Sequence, residues 1–178
     1  MSSTLYQATV LSFLQVLPPL GGLVEKARAY AADKNVSDAT LLDARLADDM
    51  WPFAKQVMAA IAHSAGAIEG VQMGETGPIS GEMPTNLAAL GEAVASAINV
   101  LEAIASADLD DIASNDTCFR FGERKMPFTV DDYLLTFAVP NFYFHASMAY
   151  AILRNQGVGV GKMDFLGAVR MKLPAAID

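Results

Sequence analysis

Cysteine is nearly absent: Cys118 stands alone, which excludes an internal disulfide framework and a Cys-rich metal cluster. Histidine is almost as scarce, with only His63 and His145 in 178 residues. That shortage limits acid–base and metal chemistry more than any other feature of the composition. Charge is sparse as well. Asp, Glu, Lys and Arg make up 18% of the chain, and 12 basic against 20 acidic residues leave a formal charge of −8. An acidic chain with a pI near 4.6 repels phosphate backbones, so nucleic acid is not an expected partner. No uninterrupted apolar run reaches the ~20 residues of a membrane-spanning helix. The nearest approach, Leu11 to Val24, is interrupted by Gln15, Pro18-Pro19 and Gly21-Gly22. A secretory leader opens with positive side chains, and Met1 to Val10 has none, so a cytoplasmic protein with no membrane contact is expected.

What the chain has is apolar bulk. Hydrophobic residues make up 53%, and 30 residues are alanine, which favours helices packed close together. The length fits one domain spanning residues 1–178. A first helical stretch covers about residues 4–32, with a break expected at Pro18-Pro19, where two amide donors are missing. A second begins at Pro52 and carries the stripe Phe53, Val57, Ala60, Ile61, Ser64 and Ile68. A glycine- and proline-rich surface loop over residues 70–84 follows. The third stripe is Leu87, Leu90, Val94, Ala97, Ile98, Leu101 and Ile104, and the acidic residues Asp108, Asp110 and Asp111 are expected to fray its end. The runs around Cys118 to Phe121 and Met126 to Phe128 read as a small hairpin. The last long helix opens at Thr129, with Asp132 in the capping-box position, bends near Pro140 and is capped by Gly157. These elements predict an all-α four-helix bundle with a small β-hairpin before the last long helix.

The fourth helix holds the informative polar residues. Phe137, Asn141, His145, Met148 and Ile152 share one face, so Asn141 and His145 sit a turn apart among apolar neighbours. Burying either unpaired costs roughly 1–3 kcal/mol, so each needs a hydrogen-bond partner in the core or a ligand. On the second helix Asp49, Gln56 and His63 recur every seven residues along the border of the apolar stripe. Gln56 lies deepest and is the expected partner of His145, whereas His63, near the helix end, reads as a solvated flank. Other motifs fail. Gly157 to Lys162 imitates a phosphate loop but follows a helix, and Met163 replaces the magnesium-binding Ser or Thr. Ser64 and Ser147 lack a nucleophile-elbow context, and Cys118 reads as a small packed side chain.

Arg45-Leu46, Asp49-Met50, Pro52 and Gln56-Val57, followed by Pro140-Asn141-Phe142-Tyr143-Phe144-His145, Ala149-Tyr150, Ile152-Leu153-Arg154 and Gly157-Val158, carry a resemblance. Over nearly its whole length the chain resembles an uncharacterised bacterial domain family grouped with the DinB/YfiT-like superfamily of four-helix proteins. The resemblance implies kinship with divalent-metal enzymes that use low-molecular-weight thiols, and with proteins that form homodimers. In that pattern three histidines hold the metal, one on helix two and an H-x-x-x-H pair on helix four. Here the three positions fall on Gln56, Asn141 and His145, and only His145 keeps its identity. Neutral amides are poor ligands for Zn or Ni beside imidazole. Two expectations follow. The first is a non-catalytic or ligand-binding bundle in which Gln56, Asn141, His145 and Tyr150 bind a small polar molecule or satisfy one another, with no cofactor. The second is a divalent-metal enzyme of the thiol-dependent transferase or isomerase type, its site completed by a carboxylate such as Asp49 or by water. A homodimer is expected in either case, because the mean hydropathy is +0.30 and the apolar surface needs covering.

Overall fold

The structure, a computed structural model, describes residues 4–171. Thr4 opens the first helix, α1 (Leu5–Ala8), with a reciprocal capping box to Gln7. The helical path kinks at Thr9, whose hydroxyl donates to the Leu5 carbonyl at 2.7 Å, and α2 (Val10–Lys34) follows. The break expected at Pro18-Pro19 is not there, for α2 runs through both prolines. The tail of the chain packs closely over this segment. The Gln15 carbonyl, which Pro19 leaves without its helical N–H, is covered by Gly167, where a Cβ would collide with that oxygen and with the Pro19 ring. Gln15 Nε2 in turn donates to the Leu166 carbonyl at 3.1 Å.

Without the break, the stretch Leu5–Lys34 is long and apolar enough to cross a membrane by length and composition. In this fold, however, Val10, Phe13, Leu17, Leu20, Val24 and Ala27 are buried in the core. A single such helix is what the core helix of a bundle also looks like.

The second helical stretch comes in two pieces, α4 (Phe53–Ala62) and α5 (Ala65–Met73), preceded by the short α3 (Asp38–Leu42). The interruption falls at His63 and Ser64, where the Ser64 hydroxyl takes the Ala60 carbonyl at 2.7 Å and competes with the helical ladder. Gly74 reverses the chain at φ +81° into a two-residue strand, β1 (Glu75–Thr76). α6 (Leu87–Glu102) buries the expected stripe Leu87, Leu90, Val94, Ala97 and Leu101. Its start is held by Asn86 capping the Ala89 amide and by Asp38 accepting from the Leu87 amide, both at 2.8 Å. The acidic stretch after it forms a short helix, α7 (Ser106–Asp110), in place of a frayed end, and Asp110 accepts the Tyr6 amide.

The expected hairpin is present as β2 (Asp116–Phe121) and β3 (Arg124–Thr129), paired antiparallel. It is part of a three-stranded sheet, because β1 adds in parallel to β2, with Glu75 opposite Cys118. The last long helix comprises α8 (Val130–Asp132), a π-helical turn over Tyr133–Ala138 and α9 (Val139–Asn155). The irregularity expected near Pro140 takes the form of that widened turn: Pro140 offers no N–H, and the Val139 amide reaches back to Leu134. Thr129 does not form the expected capping box with Asp132; its hydroxyl donates to Asp131. Gly157, at φ +85°, ends the helix with Val158 N–H on the Leu153 carbonyl at 3.0 Å. α10 (Lys162–Leu166) then lies against α2. In the core α2 packs on α6 and α4 on α9, with α2–α9 and α4–α6 contacts closing the group. The result is a mostly helical protein with a small sheet, and the helices are more numerous than the four expected.

The return of β1 past α5 demands glycine at position 70, because a Cβ there would lie 2.6 Å from Thr76 Cγ2 and 3.0 Å from the Glu75 carbonyl. Gly70→Ala is expected to cost about 1–3 kcal/mol through overpacking, read as a lower urea midpoint. An unchanged midpoint would show that β1 moves freely off the helix.

Candidate functional site

Gln56, one turn into α4, and His145, midway along α9, are 2% and 7% exposed and face each other across the contact between those helices. Their side chains are joined by a 2.7 Å hydrogen bond between His145 Nδ1 and Gln56 Oε1. The proton positions follow from a short chain of acceptors. The Trp51 carbonyl can only accept, and the Gln56 Nε2 amide donates to it at 3.1 Å, which turns Oε1 toward the imidazole. An amide oxygen also only accepts, so the Nδ1 proton belongs to His145 and its Nε2 carries the lone pair.

The His145 ring lies in a column of aromatic rings. Trp51 stacks on it with centroids 5.4 Å apart and His63 with centroids 5.7 Å apart, both within 8° of parallel. Lys55 Nζ caps the Trp51 ring at 4.1 Å, a cation–π contact at the outer end. At the inner end His63 meets the Phe137 edge at 5.7 Å, and Phe137 continues into Phe119, Phe128 and Tyr133. Phe144 touches His145 edge-on at 5.2 Å. His63 is therefore not a solvated flank. The helix break at Ser64 sets its ring inward, and its Nδ1 is buried without a hydrogen-bond partner. Burial pushes both imidazoles down to about 4; for His63 the neighbouring His145 adds to the effect. At neutral pH both rings are uncharged.

The other candidates lie elsewhere. Asn141, half-buried on the His145 face of α9, turns its amide to the Phe137 carbonyl of its own helix at 2.8 Å. Asp49 is exposed in the turn before Trp51. Tyr150 projects from a different side of α9 and packs edge-on against Phe165 of α10, 6.1 Å between centroids. Trp51 and His63 were missed as members of the site. The seven-residue spacing of Gln56 and His63 was the available signal, since it places both on one face of a helix.

A tight Zn or Ni site needs donor lone pairs converging at about 2.0–2.1 Å, and these residues do not fit one. Gln56 Oε1 and His145 Nδ1 are spent on each other, Asn141 commits its N–H to its own helix and keeps only a neutral amide oxygen, a poor ligand for these ions, and an imidazole lone pair lies in its ring plane. In the stacked, near-parallel His63 and His145 those planes run side by side. Among the described residues no group of three or more His, Cys, Asp or Glu could hold an ion. What the arrangement offers is a neutral imidazole acceptor, His145 Nε2, held in one tautomer between flat apolar walls.

A helical group of this order with its small sheet defines the protein as DinB-like in fold. The chain belongs to the family described as domain of unknown function (DUF1993), whose model matches residues 5–166. It is similar to the crystal structure of a DinB family member protein from Shewanella denitrificans, with 32% identity, TM-score 0.80 and 96% of each chain covered. It also resembles a DinB-like protein from Bacillus subtilis, with 16% identity, TM-score 0.54, 93% of this chain and 95% of that one. A third likeness is to a DinB-like protein from Bacillus cereus, with 13% identity, TM-score 0.52, 83% of this chain and 89% of that one. The two Bacillus proteins support the fold alone. No curated protein matches the chain.

The neutral histidine pair makes the fold acid-sensitive in a defined window. Unfolded histidines titrate near ~6.5, whereas these two titrate at about 4 when folded. Their stabilising neutrality is fully present above ~6.5 and is lost as pH falls toward 4, because the unfolded chain binds the protons first. His63→Phe keeps an aromatic ring in the column and removes one titration. Its stability, followed by urea unfolding between pH 6.5 and 4, is expected to fall less steeply than that of the native protein, by the slope of about one proton. Equal slopes would place His63 in solvent.

Proposed function

We propose that this DinB-like chain is a non-catalytic, small-ligand-binding protein built over a degenerate metal site. The reading rests on the 2.7 Å bond between Gln56 and His145. It stands where the superfamily resemblance would place two of three metal-binding histidines, and it engages Gln56 Oε1 and His145 Nδ1 without an ion. A small polar molecule with a single N–H or O–H donor suits His145 Nε2, and Trp51 and Phe144, 42% and 53% exposed, offer flat apolar surfaces beside it. Asn141 contributes its uncommitted amide oxygen. Tyr150 and Asp49 take no part in this reading.

The competing reading is a divalent-metal enzyme of the thiol-dependent type, and one observation favours it: the unpartnered Nδ1 of His63 adds a second imidazole near His145. Metal content separates the two. Protein purified without a His tag is expected to hold no stoichiometric Zn, Ni or Mn, and its melting temperature should not respond to EDTA, since a bound ion stabilises the folded state by mass action. Restoring the histidine pattern with Q56H/N141H should create Zn binding seen by calorimetry. Stoichiometric metal in the native protein that disappears in His145→Ala would overturn the proposal.

The same reading includes a cytoplasmic homodimer. The exposed rings of Trp51 and Phe144 flank His145, and an apolar patch of this kind is a common dimer surface. Light scattering coupled to size exclusion is expected to give twice the chain mass at micromolar concentration, with Phe144→Glu shifting it to monomer. A monomeric native protein would remove this part of the reading.

A further inference from the structure

A concavity lies on the opposite side of α4. Met58, Ile61 and Ala62 project away from Gln56 by helical geometry, and together with α5, α6 and the segment 77–80 they enclose a groove of about 480 Å³. That volume lies within the roughly 300–1,000 Å³ of small-molecule sites. The groove exists because its walls are lined with small residues. Ala62, Ala65, Gly66 and Gly70 face Ala93 and Ala97 across the α5–α6 contact, so the helices approach without filling the space between them. Ile79 is half-buried on the far rim, and the flexible Met73 side chain stands 77% exposed at the mouth.

The polar complement of the groove is one-sided. It holds Glu69, Glu75, Thr76, Ser80 and Ser96 and, among the described residues, no Lys, Arg or His. Glu75 is already neutralised, for its two carboxylate oxygens receive Arg120 Nε and Nη2 at 2.7 and 2.6 Å. That pair accounts for the depressed Glu75 carboxyl. Glu69 has no hydrogen bond or ion pair among the described residues. An apolar trough with one uncommitted carboxylate at its edge matches a molecule of the inverse pattern.

We propose that the groove binds a small aliphatic primary amine, its hydrocarbon part along the alanine- and glycine-lined wall and its ammonium at Glu69. A carboxylic acid of the same length is disfavoured there, since among the described residues the one free charge it meets is negative. The site is distinct from the Gln56–His145 pair and does not depend on it. The metal-content experiment can therefore fail while this proposal stands, and the reverse.

The test titrates the full chain with n-octylamine, 1-octanol and octanoate, followed by amide chemical shifts at low salt. Octylamine is expected to saturate shifts at Gly66, Gly70 and Ser96, binding about fivefold more tightly than octanol, as an exposed ion pair is worth, with octanoate weakest. Glu69→Gln should remove the amine's advantage over octanol while leaving octanol binding intact. Ser96→Phe, on the exposed side of α6, should fill the groove and abolish binding of all three without loss of melting temperature. Octanoate binding as well as octylamine, an amine preference that survives in Glu69→Gln, or no saturable shift in the groove would each overturn the proposal.

Discussion

The hydrogen bond between Gln56 and His145 governs how α4 and α9 meet. Two polar side chains share a buried helix interface only when each satisfies the other, because an unpaired amide or imidazole there costs about 1–3 kcal/mol. Gln56 does this with both ends of its amide, accepting from His145 and donating to the Trp51 carbonyl. The second bond ties the turn before α4 to its first helical turn, which brings the Trp51 ring onto the histidine. One side chain thus sets the register of two helices, the tautomer of an imidazole and the position of an exposed tryptophan.

From that point the column of rings follows. His145 is neutral and held in plane, His63 stacks beneath it, and Phe137 links the pair to the aromatic group under the sheet. Two interruptions of helical regularity make the column possible. The Ser64 hydroxyl breaks the second helical stretch just after His63. The π-helical turn ahead of Pro140 resets α9 so that Phe137 faces His63 while His145 still faces Gln56. Helix breaks at functional or strained positions are the ordinary form of such devices. Here each is a local hydrogen-bond competition that the surrounding packing resolves.

The chemistry of the two sides of α4 divides along that element. The side of α4 that carries Gln56 and His63 meets aromatic rings and closes over its polar groups. The opposite side carries Met58 and Ala62 and meets small residues of α6, leaving open space. Large flat side chains fill a helix interface, and alanine and glycine let backbones approach while leaving the rest of the gap empty.

Helix content, the stripe of α6, the hairpin and the pairing of Gln56 with His145 were legible in the chain itself, because each rests on spacing: a period of 3.6 residues, alternation, or seven residues between groups on one face. Three features were not. Pro18-Pro19 read as a break, but the distant tail at Leu166 and Gly167 packs over the Gln15 carbonyl that Pro19 exposes. β1 is too short to register as a strand, and it forms only because β2 is there to receive it. His63 read as a surface residue, although Ser64 and the rings above and below it turn it inward. Local pattern determined which residues become helix and which faces are apolar. Only the tertiary structure decided where the exceptions lie, since a proline pair inside a helix, a two-residue strand or an inward-turned histidine depends on what distant parts of the chain pack against it.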